Sequence, residues 1–91
     1  MDIRRLFGTN LRRYRRAAGL SQEAVAEMVG VDRAHVSSME RGRQNVTLVT
    51  LARLCEALDL RPIALFDETA LPAEAAHAPA GTPRERRQRP R

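Results

Sequence analysis

The side chains with chemistry to offer are concentrated between residues 21 and 45. Asp32, His35 and Ser37 fall within six residues of one another, the three residue types of a hydrolytic triad. Their placement argues against that chemistry. Asp32 stands directly before a helical pattern, where a carboxylate caps free backbone N–H groups. Ser37 lies on the outer side of that helix rather than in a pocket. The chain has no Gly-rich phosphate loop and no metalloprotease-type histidine pair. His35 and His77 are lone histidines without partners at ligand spacing, so neither a metal nor a cofactor is expected. Cys55 is the single cysteine; it cannot form an internal disulfide and reads as a packing residue on an apolar stripe. Nothing here predicts an enzyme.

What remains is arginine. All sixteen basic residues are Arg, against eleven acidic residues, for a net charge of +5. Arg without Lys is also what a GC-rich genome produces, so the placement of the charge must decide its meaning. Eleven arginines and nine acidic residues fall in residues 1–69, and five and two in residues 70–91. A domain so nearly balanced can attract a polyanion only by concentrating its positive charge on one face.

The elements that must do this are read from apolar spacing. Ile3, Phe7, Leu11, Tyr14 and Ala18 recur every three or four residues and predict a first helix, ended by Gly19. Arg4, Arg5, Arg12, Arg13 and Arg16 lie mostly off that face. Ser21 is a plausible N-cap for a second helix with Val25, Ala26 and Val29 inward, closed by Gly30. Val31 turns into the core, and Asp32 caps a third helix whose inner side is Val36 and Met39. Arg33, Ala34, Ser37 and Ser38 are left facing outward. Gly42 stops that helix, and Arg43-Gln44-Asn45-Val46 is a polar loop. Thr47 caps a fourth helix carrying Leu48, Leu51, Cys55 and Leu58. Pro62 suits the first turn of a short fifth helix with Ile63, Leu65 and Phe66. The only aromatics are Phe7, Tyr14 and Phe66, so aliphatic residues must fill the core.

After about residue 70, Ala, Pro and Gly dominate and five arginines close the chain. That stretch has too little apolar bulk for a core and is expected to be a flexible basic tail, residues 70–91, after a domain at 1–69. The charged N-terminus does not resemble a signal peptide, and no run approaches the roughly 20 apolar residues of a membrane span. A soluble cytoplasmic, nucleoid-associated protein is the expectation.

Two short helices joined by a Gly turn, the second capped by Asp with small and polar residues on one face, are how a DNA-reading helix-turn-helix is built. The matching positions are numerous. Leu11-Arg12-Arg13, Gly19-Leu20-Ser21-Gln22-Glu23, Ala26, Gly30-Val31, Val36-Ser37, Met39-Glu40-Arg41-Gly42, Leu51-Ala52, Leu54 and Ala57-Leu58 stand in one register. Over roughly residues 3 to 68 the chain resembles the Cro/phage-repressor (Xre-type) helix-turn-helix family.

The resemblance implies an all-α, compact five-helix, lambda-repressor-like domain that binds double-stranded DNA as a two-fold homodimer, its third helix in the major groove. Carried over to this chain, Arg33, Ala34, Ser37 and Ser38 occupy base-reading positions. Gln22, Arg41, Arg43 and Asn45 occupy phosphate-contacting ones, and Gln22 is placed to brace the third helix. Ser21 and His35 are expected to join the phosphate contacts. Arg15 and Glu40 match a partly buried salt bridge that belongs to the fold. Ile63, Leu65 and Phe66 are expected at the dimer contact that many relatives form there, the alternative being that they simply cap the core. Val46, Asp59 and Arg61 depart from the family pattern, which usually has Pro, Gly and a small capping residue there.

Physical chemistry supports the roles independently. Arg offers paired donors that match guanine O6 and N7, Ala34 can touch only a thymine methyl, and Ser hydroxyls discriminate less. The implied function is a sequence-specific transcriptional regulator, either a dimeric repressor or a small autoregulated controller reading an inverted repeat. The alternative from another class is an antitoxin-type interaction module that grips a protein partner through the tail. Structured RNA is a weaker alternative, because the A-form major groove is too narrow for a helix.

Overall fold

This computed structural model of the chain describes residues 1–70. Four α-helices follow one another: α1 (Ile3–Ala17), α2 (Gln22–Val29), α3 (Arg33–Glu40) and α4 (Leu48–Leu58). Two 3-10 turns, Pro62–Phe66 and Glu68–Ala70, complete the described residues. Among those residues there is no strand. The tail expected at 70–91 lies, beyond Ala70, outside the described residues.

Each helix starts on a polar side chain that satisfies a free backbone N–H. Asp2 accepts from Arg4 N, Ser21 from Ala24 N, Asp32 from His35 N and Thr47 from Thr50 N. Such caps contribute about 1 kcal/mol each and set where the helices begin. Three of the four are the expected ones; Asp2 is an addition. Gly19, Gly30 and Gly42 turn the chain at positive φ after α1, α2 and α3. Asp59 does the same after α4 with φ 55°, in a conformation that glycine adopts without penalty. Replacing Asp59 by Gly is therefore expected to stabilise the domain by about 0.5 kcal/mol, read as a higher denaturant midpoint with an unchanged slope.

The core lies between α1, α2, α3 and α4. Leu11, Val25, Val36, Leu54 and Leu65 are completely buried, and Phe7, Ala26, Val29, Met39 and Cys55 surround them. Each fully buried Leu or Val contributes about 1.5–3 kcal/mol relative to an exposed one. Two expected stripes are corrected. Ile3 is 55% exposed and Leu48 81% exposed. Both sit in the first turn of their helices, at an open apolar cleft with Val46, Leu51 and Phe66, while Leu6 and Leu54 are buried.

The expected fifth helix is a five-residue 3-10 turn. Ala64 N donates to Arg61 O, an i→i+3 bond. Extended backbone at Asp67 (ψ 112°) ends the segment before an α-helix could propagate. Side-chain polar groups hold it down instead. Asn10, fully buried on α1, donates through Nδ2 to the carbonyls of Leu6, Leu65 and Asp67 at 3.1, 3.2 and 3.0 Å. Its Oδ1 accepts from Arg13 at 3.0 Å, and Arg13 reaches the Asp67 carboxylate at 3.5 Å. Hydrogen bonds from Thr69 and the nearby Arg13 charge hold the Asp67 carboxyl below the usual carboxylate range.

Candidate nucleic-acid interface

α2 and α3 pack against each other across the turn from Gly30 to Asp32, with Val25 and Val29 of one helix and Val36 and Met39 of the other inside. Gly30 takes φ 80°, which reverses the chain within two residues of the α3 cap. The inner faces are apolar, so the polar residues of α3 are placed outward by elimination. Arg33 and Ala34 at its start are exposed. Ser37 and Ser38 are half-buried, less open than their outward placement predicts.

Both serine hydroxyls already have partners. Arg41 donates to Ser37 Oγ, one turn earlier on the same face. Gln44, returning from the loop, donates through Nε2 to Ser38 Oγ at 3.0 Å. A hydroxyl that accepts one hydrogen bond can still donate its own proton, so both serines keep a donor for an acceptor outside. Gln44 was not among the expected site residues; its contact depends on the path of the loop, which leaves no periodic signal.

Arg41, Arg43 and Asn45 are exposed around the C-terminal side of α3. Among the described residues, ion pairs form at Arg4–Asp2, Arg13–Asp67 and Arg15–Glu40. Arg33, Arg41 and Arg43 are not in them, so their charge is available to an external anion. Ser21 is exposed at the start of α2, beside half-buried Gln22. Its Oγ accepts from Ala24 N at 3.0 Å and retains its O–H. His35 is half-buried on α3, one residue from the exposed Ala34.

Behind this surface lies the ion pair that the sequence led one to expect. Arg15 on α1 and Glu40 at the end of α3 are both 8% exposed. Arg15 Nε meets Glu40 Oε2 at 2.5 Å, its NH2 meets Oε1 at 3.1 Å, and its NH1 donates to the Leu20 carbonyl at 2.8 Å. This bidentate contact holds Arg15 still more firmly protonated than an ordinary arginine. Gln22 Nε2 donates to the same Glu40 Oε1 at 3.1 Å, and Gln22 Oε1 accepts from Arg33 NH1 at 3.4 Å. The brace expected of Gln22 therefore runs to both ends of α3.

The expected dimer patch is partly corrected. Leu65 is completely buried in the monomer core and cannot meet a second copy. Phe66 is half-buried against Phe7, with ring centroids 6.1 Å apart, and Ile63 is 74% exposed. The physical reason is apolar burial: the Leu65 side chain packs into the core cluster, while Asn10 holds its backbone carbonyl.

No helix among the described residues is long and apolar enough to cross a membrane. No group of three or more His, Cys, Asp or Glu among them could hold a metal.

A compact helical domain that presents a short, arginine-started helix across a Gly turn is a helix-turn-helix domain. Comparison with known proteins places the chain within that class. Residues 6–68 match the family model described as a helix-turn-helix domain, and the chain belongs to that family. It is 44% identical over 69 residues to an uncharacterized HTH-type transcriptional regulator, y4dJ, of Sinorhizobium fredii, spanning 76% of this chain and 90% of that protein. It is 46% identical over 59 residues to the control protein C.SmaI of Serratia marcescens, spanning 65% of this chain and 70% of that one. Among solved structures, the restriction-modification controller protein C.AhdI from Aeromonas hydrophila superposes with a TM-score of 0.67 at 48% identity, covering 69% of this chain and 96% of that one. These relatives mark the chain as a DNA-binding transcriptional regulator. They do not favour the alternative of an antitoxin-type module, whose tail contact falls outside the described residues.

Proposed function

We propose that the protein is a small dimeric controller or repressor that acts by binding rather than by catalysis, on duplex DNA in the cytoplasm. In this reading it occupies an inverted repeat, with α3 of each copy in a major groove. The observation that carries the reading is the arrangement of α3: Arg33 and Ala34 exposed at its start, and Arg41 and Arg43 at its end, in no ion pair among the described residues. Arg33, Ala34, Ser37 and Ser38 take the base edges. Ser21, Gln22, His35, Arg41, Arg43 and Asn45 take the phosphates. The likeness to control proteins, one of them named for restriction-modification, supports an autoregulated genetic module. The second copy docks on Ile63 and the exposed rim of Phe66, without Leu65. Phe66 also lines an apolar cleft with Ile3, Val46, Leu48 and Leu51, which extends the surface open to that contact.

The test is selection of the purified chain on random duplexes at about 0.15 M salt, where weak phosphate attraction is largely screened. The expected product is an inverted repeat with half-sites about 10 bp apart. Binding that fades with salt and enriches no sequence would reduce the arginines to a charge footprint. On the selected site, Arg33→Ala is expected to cost about 1–3 kcal/mol and to relax preference at one base pair per half-site. Arg43→Ala is expected to weaken all sequences alike and to flatten the salt dependence by about one unit. A uniform loss from Arg33→Ala would contradict the base-reading role.

A further inference from the structure

The buried ion pair and the exposed reading surface are joined by one side chain. Gln22 touches Glu40 with its amide nitrogen at 3.1 Å and Arg33 with its amide oxygen at 3.4 Å. The chemistry of the two ends allows only this orientation. The Glu40 carboxylate is an acceptor, so it must face the Gln22 NH2 group. The Arg33 guanidinium is a donor only, so it must face the Gln22 oxygen. Glu40 in turn cannot rotate, because Arg15 grips both of its oxygens at 2.5 and 3.1 Å and is itself tied to the Leu20 carbonyl. The result is a directional chain of hydrogen bonds from the α1–α3 contact to the tip of α3.

We propose that Glu40, acting through Gln22, is a positioning residue for base recognition: its negative charge fixes the Gln22 amide, which holds Arg33 in the pose that reads its base pair. The inference rests on α3 being the DNA-reading helix. Arg has rotamer entropy to lose on being fixed at a base edge, and a guanidinium held in advance loses less of it on binding. A neutral amide at position 40 would remove the polarity. It could present oxygen or nitrogen to Gln22, and with nitrogen there the Gln22 NH2 group would turn toward Arg33, donor against donor. Glu40 thus governs one base pair without touching DNA.

The experiment measures binding to the selected operator and to operators substituted at each position in turn, for the full chain and for Glu40→Gln, Gln22→Met, Arg33→Ala and the Glu40→Gln/Arg33→Ala pair. Discrimination at the base pair that Arg33→Ala identifies is expected to fall about three- to tenfold in Glu40→Gln and in Gln22→Met. Discrimination at the other positions is expected to stay within twofold. In the Arg33→Ala background, Glu40→Gln should change that discrimination no further. Gln22→Met leaves the buried pair whole and reports on the chain of bonds even if Glu40→Gln does not fold. A purely structural Glu40 would lower affinity for every sequence alike and leave the ratio at that base pair unchanged, and the same pattern in Gln22→Met would overturn the proposal. If the unsubstituted chain selects no sequence, the α3 reading itself fails and takes the proposal with it.

Discussion

Arg15→Ala is expected to destabilise the domain by about 3–5 kcal/mol. The substitution removes the buried stem of Arg15 as well as its charge. Most of the cost comes from Glu40, 8% exposed beside Arg15, which would lose both guanidinium contacts. A single domain of this size has about 5–15 kcal/mol in total, and each kcal/mol moves its melting temperature by about 4–8 °C. The melting temperature should therefore fall by roughly 15 °C or more, measured by circular dichroism on heating. Replacing both partners together, Arg15→Met with Glu40→Leu, removes the stranded charge. That pair is expected to recover most of the stability, because apolar residues of similar volume often match a buried ion pair. If Arg15→Ala melted within a few degrees of the unsubstituted chain, Glu40 would have to find another partner or a proton. The cost assigned to the pair would then be wrong.

Gly8→Ala is expected to cost about 3 kcal/mol or more, against the sign that helix propensity predicts. Inside a helix, Ala is better than Gly by about 1 kcal/mol, and Gly8 lies in the middle of α1. A Cβ there would press on the Met39 carbonyl oxygen and sit 2.7 Å from the Glu40 carbonyl oxygen and 2.9 Å from its carbon. These are backbone atoms at the end of α3, so relief requires α1 and α3 to move apart. Overpacking of this kind costs about 1–3 kcal/mol and more where the backbone must shift. Such a shift would also pull on the Arg15–Glu40 contact, which spans the same two helices. Gly19 is the control. A Cβ there meets nothing within 4 Å, and its φ of +74° is the only strain. Gly19→Ala should cost about 1 kcal/mol. Equal midpoints for the two substitutions in a urea titration would show that the close approach at Gly8 carries no special weight.

How much of the domain was legible in advance follows from the range of each interaction. Ser21, Asp32 and Thr47 were readable as caps because a cap is a bond to the backbone two or three residues on. Gly19, Gly30 and Gly42 were readable as helix ends for the same local reason. The short fifth element was overestimated. Pro62 marks a start equally well for an α-helix or a 3-10 turn, and only the Asn10 clamp at 65 and 67 chooses. Leu65, expected at the dimer contact with capping the core as its alternative, is completely buried; its carbonyl is held by Asn10 across 55 residues of chain, a contact no local pattern shows. Ser37 and Ser38 were expected to face outward freely, yet each hydroxyl is held by a residue beyond the end of α3.

The amino-acid sequence alone determined the helical class, the helix-turn-helix spacing and which residue types stand on α3, because apolar periodicity and capping are properties of neighbours along the chain. The tertiary structure alone decided that Gly8 must remain glycine and that Leu65 belongs to the core. It also decided that Gln22 links Glu40 to Arg33. Each of these depends on where α1, α3 and the C-terminal turn come to rest against one another. Packing at close range sets those positions, and no local pattern encodes them.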